Sequence, residues 1–375
     1  MDLELSSDQQ FFVETTRKFL ESETPLTAVR DLLDDPAGYD PAWWRRGAEL
    51  GWTSMLVPEE YGGGSLSGAA LLDLILVAEE IGRMVSPGPL LPTSILAAAV
   101  AESGTPEQRQ SVLPGIVSGD VIGAWCFAEP GGGWQPGDVS LGAEPRGEGF
   151  VLSGTKTKVE AAGQADQLLV TARTPGGLTQ FLVPAGTAGV RVAPMKSLDF
   201  VKRFAEVHFD GVEVPASAVV GAVGGAGADV ERQLQLALAL QCAETAGATA
   251  RVFEFTTEYA FDRFSFGRPL ASYQALKHRF ADMKLWLEAC HATTSAASAA
   301  VQARADDAPK LVSVAKAYVG DHATEIMQDC VQMFGGIGVT WDHDIHLYLR
   351  RATVNRALYG TPTEHRDRIA TLVGI

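Results

Sequence analysis

The chain has 375 residues, 46% of them hydrophobic and 20% charged, with a formal net charge of −16. A chain of this length holds two or three domains and buries well over half the surface its unfolded form exposes. The negative balance argues against nucleic acid and anionic membranes as partners, because both are bound through Lys and Arg, whereas a local basic patch can still take the phosphates of a nucleotide cofactor.

Cys126, Cys242, Cys290 and Cys330 are dispersed along the chain. They stand at neither metal-ligand nor disulfide-framework spacing, and read as reduced thiols of a cytoplasmic protein. The start "MDLELSSDQQFFVETTRKFL" lacks a positive region followed by an apolar block, so it does not read as a signal peptide. No apolar run is long and uncharged enough for a membrane span.

From the N-terminus to about residue 119 the pattern predicts helices. "SDQQFFVETTRKFLESE" has helical apolar spacing behind a Ser-Asp start, "AALLDLILVAEEIGRM" is apolar nearly all round, and "TPEQRQSVLPGIVSG" opens on a Thr cap and a Pro. Residues 120–225 switch to short β-branched or alternating runs, "FVLSGTKTKV", "DQLLVTAR", "TQFLVPA" and "AEVHFDGVEVP", punctuated by Gly and Pro. They predict an antiparallel β sandwich or barrel. Residues 226–375 return to helix in three long periodic segments, the last closed by a Gly pair. The fold class expected is therefore an N-terminal α-helical domain, a middle β domain and a C-terminal helical bundle.

Four motifs carry more than composition. "GAWCFAEPGGG" is a strand running into Glu-Pro and three glycines, which reads either as a plain strand-to-turn junction or as a backbone edge laid against a flat ligand. "RFSFGRPLASYQALKHRFADM" breaks one helix at an arginine and starts another. That arrangement suits a pyrophosphate, or is simply a helical hairpin with a surface arginine. "QMFGGIGVTWDHDIHLYLRRA" exposes backbone N–H groups through its glycines. Its polar cluster, Asp342, His343, Asp344 and His346, reads as a turn entering a helix with surface acids, and no metal site is expected. The fourth motif is "YGTPTEHR", in which Glu364 sits in the first turn of a final helix, where the helix dipole favours an acid.

In this order and spacing, together with "LVPEEYGG", "GTPEQRQSVLPGIVSGD" and "FDGVEVP", these stretches resemble the acyl-CoA dehydrogenase family over nearly the whole chain. The resemblance implies an α-helical domain, a β domain and a C-terminal four-helix bundle. It also implies FAD at a subunit interface, an acyl-CoA substrate and an electron-transfer flavoprotein as acceptor, in a homotetramer or a mixed tetramer with a paralogue. By residue matching, Arg263, Ser265, Phe266, Tyr273 and Gln274 meet the FAD of the neighbouring subunit. Gln332 and Gly336 lie along its pyrophosphate or adenosine portion, and Thr361 and Thr363 follow it in the last segment. Phe127 and Ala128 line the isoalloxazine, with Lys158 and Glu160 where the family places a Trp and a Thr. Ala128 lacks the hydroxyl of the usual Thr, Trp134 replaces a small Ser, and Lys158 cannot stack on a flavin as Trp does.

The family's reaction needs a carboxylate to take the proton beside the thioester carbonyl while the β-carbon gives a hydride to the flavin. Counted without a gap, the position of that Glu before the Gly-Thr is Tyr359. A phenol titrates near ~10, and an apolar pocket moves it further up. The family's alternative site, on the first long helix of the bundle, falls on Ala237. Seven residues on, Glu244 is the one acid between Leu234 and Val252, about 10 Å along the same helix face. It reads either as a structural partner, for Arg251 or a neighbouring helix, or as the base. The expected function is thus FAD-dependent α,β-dehydrogenation of an acyl-CoA with a non-standard base. The alternatives are a non-catalytic FAD-binding subunit of a mixed assembly, or another flavin reaction on the same fold.

Overall fold

The computed structural model describes residues 5–375. The N-terminal helices are α1 (Ser7–Glu23), α2 (Leu26–Asp31), α3 (Pro41–Glu49), α4 (Ala70–Arg83), α5 (Leu90–Ser103) and α6 (Pro106–Val117). Both α1 and α6 begin with a capping box, from Ser6 with Gln9 and from Thr105 with Gln108, so the polar starts read from sequence satisfy the first amide groups. Helix α5, "LLPTSILAAAVAES", is buried from Leu90 to Val100 and shows no amphipathic stripe, which is why periodicity did not reveal it.

The β domain contains β1 (Gly123–Cys126), β2 (Gly142–Arg146), β3 (Gly149–Glu160), β4 (Gln167–Thr174), β5 (Gly177–Pro184), β6 (Val190–Met195), β7 (Phe204–Pro215) and β8 (Val219–Val220). Their order is β6-β7-β3-β2-β4-β5-β8, with β1 added beside β4. The hairpin pairings are antiparallel, but β1 and β2 both meet β4 in parallel, so the sheet is mixed. Its own core includes Val170, Phe181 and Val207. The pairing of β3 with β7 slips between Lys156 and Val159, and this bulge leaves Lys158 exposed at φ +53°.

The bundle consists of α7 (Gly227–Asp262), α8 (Gln274–Gln302), α9 (Ala308–Phe334) and α10 (Ile345–Ala357), followed by α11 (Pro362–Leu372). A two-residue hairpin, β9 (Phe264–Ser265) with β10 (Arg268–Pro269), links α7 to α8. The N-terminal domain docks on the bundle through α4 and α7, which meet backbone to backbone. A Cβ at Gly82 would overlap the Glu244 carbonyl oxygen, and one at Gly247 would overlap that of Glu79.

Gly82→Ala should therefore destabilise the protein by about 1–3 kcal/mol, the cost of overpacking, although Ala is the better helix former by about 1 kcal/mol. The midpoint of guanidinium unfolding checks this, and an unchanged or raised midpoint would show that the two helices can separate freely.

Candidate functional site

The residues singled out from sequence fall into two groups. The first lies where the β domain meets the bundle and includes Phe127, Ala128, Lys158, Glu160, Glu244, Tyr359, Thr361 and Thr363. The second lies at the far end of α7 and includes Arg263, Ser265, Phe266, Tyr273 and Gln274. Gln332 and Gly336, at the end of α9, join it because Tyr259 near the end of α7 packs on Phe334 at 4.4 Å.

Glu244 anchors the first group. It is 5% exposed, and both its oxygens accept. Arg351 Nη1 donates to Oε1 at 2.7 Å, while Lys202 Nζ and Asn355 Nδ2 donate to Oε2 at 3.0 and 3.1 Å. Arg351 also pairs with Asp199, and Lys202 stands 3.1 Å from Glu160. Arg251, a candidate partner from sequence, instead pairs with Glu254 at 3.5 Å. Lys202, Asp199, Arg351 and Asn355 were missed in the sequence. Arg351 left a signal, because Tyr348, Arg351, Ala352 and Asn355 form the buried stripe of α10 at helical spacing.

Three carboxyls here share two cations. Burial pushes the Glu244 carboxyl up, but the charges of Lys202 and Arg351 outweigh it and hold Glu244 below its ordinary range. Glu160 is the acid left over. Burial raises it, Lys202 offsets only part of that, and its Oε2 has no partner. The cavity touching Glu244, Glu160 and Lys202 measures about 20 Å³. That is room for one water, which needs at least ~10–15 Å³, and not for an acyl chain.

Tyr359 closes the same region from the other side. It is 7% exposed and sits among aromatic rings, 5.1 Å from Trp134 and 5.8 Å from Trp125, which stacks on Phe127 at 4.9 Å. Burial, followed by the charges of Glu160 and Glu244, moves its phenol well above the ordinary value, away from service as a base. Its backbone is left-handed at φ +61°. Two buried side chains hold this turn. Lys316 Nζ donates to the carbonyls of Asn355 and Leu358, and His365 Nε2 donates to the Tyr359 carbonyl at 2.9 Å. Lys158 projects over Trp134, its Nζ 5.1 Å from the ring. The carbonyls of Phe127 and Ala128 are taken by Lys156 Nζ and the Thr157 amide. Thr361 gives its amide and hydroxyl to Glu364, and Thr363 is exposed.

The second group has the opposite character. Phe266 and Gly267, at φ +49° and +80°, form the tip of the β9–β10 hairpin. Two positive φ values match a type I′ turn, which a Phe adopts only at a cost of order 1 kcal/mol. Phe266 is nevertheless 97% exposed. Arg263 is exposed with no acidic partner among the described residues, and Arg268 lies 3.8 Å over the Tyr273 ring. The Tyr273 hydroxyl donates to the Ser265 carbonyl at 2.7 Å. Helix α8 starts at Gln274 without a side-chain cap, so its first amides and dipole face outward beside these arginines. Gln332 and Gly336 are exposed nearby. Asp344 pairs with Arg30 at 2.6 Å, and His346 stacks on Trp341.

Three family models match in sequence. The acyl-CoA dehydrogenase N-terminal domain covers residues 6–120, the middle domain 124–212 and the C-terminal domain 225–373. The chain belongs to the acyl-CoA dehydrogenase family. It is 28% identical to the acyl-CoA dehydrogenase IpdE2 of Mycolicibacterium smegmatis, over 97% of this chain and 98% of that one. The butyryl-CoA dehydrogenase structure from Megasphaera elsdenii matches with a TM-score of 0.91 at 26% identity, covering all of both chains. A chain of the ChsE4–ChsE5 complex from Mycobacterium tuberculosis matches with a TM-score of 0.89 at 27% identity, over 100% of this chain and 99% of that one.

FAD is the cofactor that goes with this family. The residues here fit it unevenly. The arginine turn and the uncapped α8 N-terminus suit its anionic half. Around its flat ring the fit is mixed: Phe127 and Tyr359 are buried, whereas a largely apolar cleft of about 360 Å³ lies between Lys158, Phe204 and Leu358, and another of about 370 Å³ opens beside Trp134 and Gly360.

Two outcomes follow from this geometry. Arg351→Met strands Asp199 and Glu244 against the single cation Lys202, and should cost about 3–5 kcal/mol, measured by denaturant unfolding. Burial lowers His365 to about 4, against an ordinary value of about 6.5. The unfolded chain therefore takes up a proton in a range where the folded one does not. Stability is complete above about 6.5 and falls as pH drops to about 4, by up to roughly 3 kcal/mol. His365→Gln should flatten that part of the stability–pH curve.

Proposed function

We infer that this chain is a cofactor-sharing subunit of a mixed acyl-CoA dehydrogenase assembly. It lends its arginine turn and α8 N-terminus to the pyrophosphate of an FAD whose ring lies in a related chain. That related chain carries the glutamate before its Gly-Thr and performs the proton abstraction. Acyl-CoA is oxidised there, and electrons leave to an electron-transfer flavoprotein.

The observation that supports this reading is the enclosure of Glu244. Glu244 is ionised, but its oxygens are engaged by three donors and a cavity of about 20 Å³ adjoins it. A base must reach the proton it removes within hydrogen-bond distance, and no substrate atom has space to approach. Tyr359 shares the enclosure and is shifted in the wrong direction. The solved ChsE4–ChsE5 complex, by its name a two-component assembly, supports a mixed partnership.

The isolated chain should bind little FAD and should not bleach with any acyl-CoA in an anaerobic titration. Purified with its partner, it should show one FAD per pair of chains. Arg263→Ala should lower FAD retention roughly tenfold, the size of a charge-assisted hydrogen bond, whereas Tyr359→Phe should leave turnover within about twofold. An isolated chain that held one FAD and bleached would overturn the reading.

A further inference from the structure

Where the last turn of α5, the start of α7 and the α8–α9 connection meet the loop after α3, a cleft of about 290 Å³ opens. Met55, Val57, Ala98 and Leu236, all buried, form its apolar wall. The charged groups on its lining are two arginines, Arg232 and Arg304, and one acid, Glu102. It shares no lining residue with the cavity at Glu244. Arg232 and Glu244 stand about 18 Å apart along the axis of α7, at a rise of about 1.5 Å per residue.

The cations outnumber the acid. Arg304 Nη2 lies 2.8 Å from Glu102 Oε1, and Arg232 Nε lies 3.7 Å from the same oxygen. Arg232 Nη1 donates to the Val301 carbonyl, but the buried Nε has no hydrogen-bond partner among the described residues. Burial lowers the Arg232 guanidinium from its ordinary value, and Glu102 offsets only part of that. A further anion would steady it. Gln302, also on the lining, accepts from the Leu71 amide at 2.8 Å, which commits its oxygen and leaves its NH2 as a third donor. Arg304 takes φ +51° just past the end of α8, a place usually left to glycine. A guanidinium therefore stands here against the preference of its own backbone.

We propose that this cleft binds a small carboxylic acid with an apolar body, the carboxylate shared between Arg232 and Arg304 and the body laid on the wall of Met55, Val57 and Leu236. An excess of one positive charge matches a monoanion. A planar carboxylate offers two oxygens to a guanidinium fork, and Arg232 Nε gains the partner it lacks. A phosphate dianion would bring more charge than these donors balance and nothing to cover the apolar wall. The volume stands at the low end for small-molecule sites and suits a small acid rather than a nucleotide. Glu102 is exposed, so its carboxylate can swing outward as that of the ligand enters.

The probe is hexanoate, titrated against the intact chain and followed by saturation-transfer NMR. One saturable site is expected, which neither inorganic phosphate nor hexan-1-ol occupies in its place. Arg304→Gly relieves a positive φ and removes one guanidinium. The midpoint of denaturant unfolding should stay the same or rise, while hexanoate binds roughly tenfold more weakly. Arg232→Lys keeps the charge but loses the fork, and should weaken hexanoate as well. Glu102→Gln removes the rival carboxylate and should tighten it. Opposite signs for Arg304→Gly and Glu102→Gln are the mark of a built site. Absence of a saturable site, binding that neither of these two variants alters, equal binding of hexan-1-ol, or displacement by phosphate would overturn the proposal. None of these readings involves FAD, so they stand apart from the test of the mixed assembly.

Discussion

The structure depends on five charged side chains sealed between its three domains. Asp199 and Lys202 come from the segment leading into β7, Glu160 from the end of β3, Glu244 from α7 and Arg351 from α10. Their mutual attraction joins the β domain to the bundle in a space nearly devoid of water, where an unpaired charge is costly and a pair is strong. Removing any one cation leaves surplus acid, so the five behave as a unit. The rest of the junction is arranged around them. Gly82 and Gly247 bring α4 against α7, Asn355 completes the coordination of Glu244, and Tyr359 covers the opening with Trp134.

A carboxylate so fully engaged differs from a catalytic one in accessibility more than in charge. Glu244 is ionised, as a base must be, yet its lone pairs already point at Arg351, Lys202 and Asn355. The phenol at 359 lies beside two acids and is held protonated. The chain thus has the architecture of the acyl-CoA dehydrogenase family with a phenol and an engaged carboxylate at the two positions considered for its base. The exposed arginine turn, by contrast, holds Phe266 and Gly267 at positive φ and leaves the Arg263 donors without an acidic partner among the described residues.

Much of the fold was legible in the sequence because its long helices and hairpins follow simple periods. The capped starts of α1 and α6, the uninterrupted run of α7 and the Gly-Pro break before α8 all stand in the structure. Helix α5 was not legible, because a helix buried on every side shows no stripe. The parallel contacts of β1 and β2 with β4 were hidden too, since register between distant strands leaves no local mark. At the site, the sequence revealed the absence of a carboxylate at 359 and the isolation of Glu244. It could not reveal the partners of Glu244, because Lys202 and Arg351 lie 42 and 107 residues away and only folding brings them together. Arg251, seven positions along the same helix, was the nearer guess, but its side chain turns to Glu254 one turn on.

Trp134 packs against Tyr359, Lys158 stands over Trp134, and the ion cluster fixes Glu244, so separate contacts surround position 359. A glutamate placed at 359 would stand beside Glu160 and Glu244 with Lys202 and Arg351 already engaged, and would be pushed toward its neutral form.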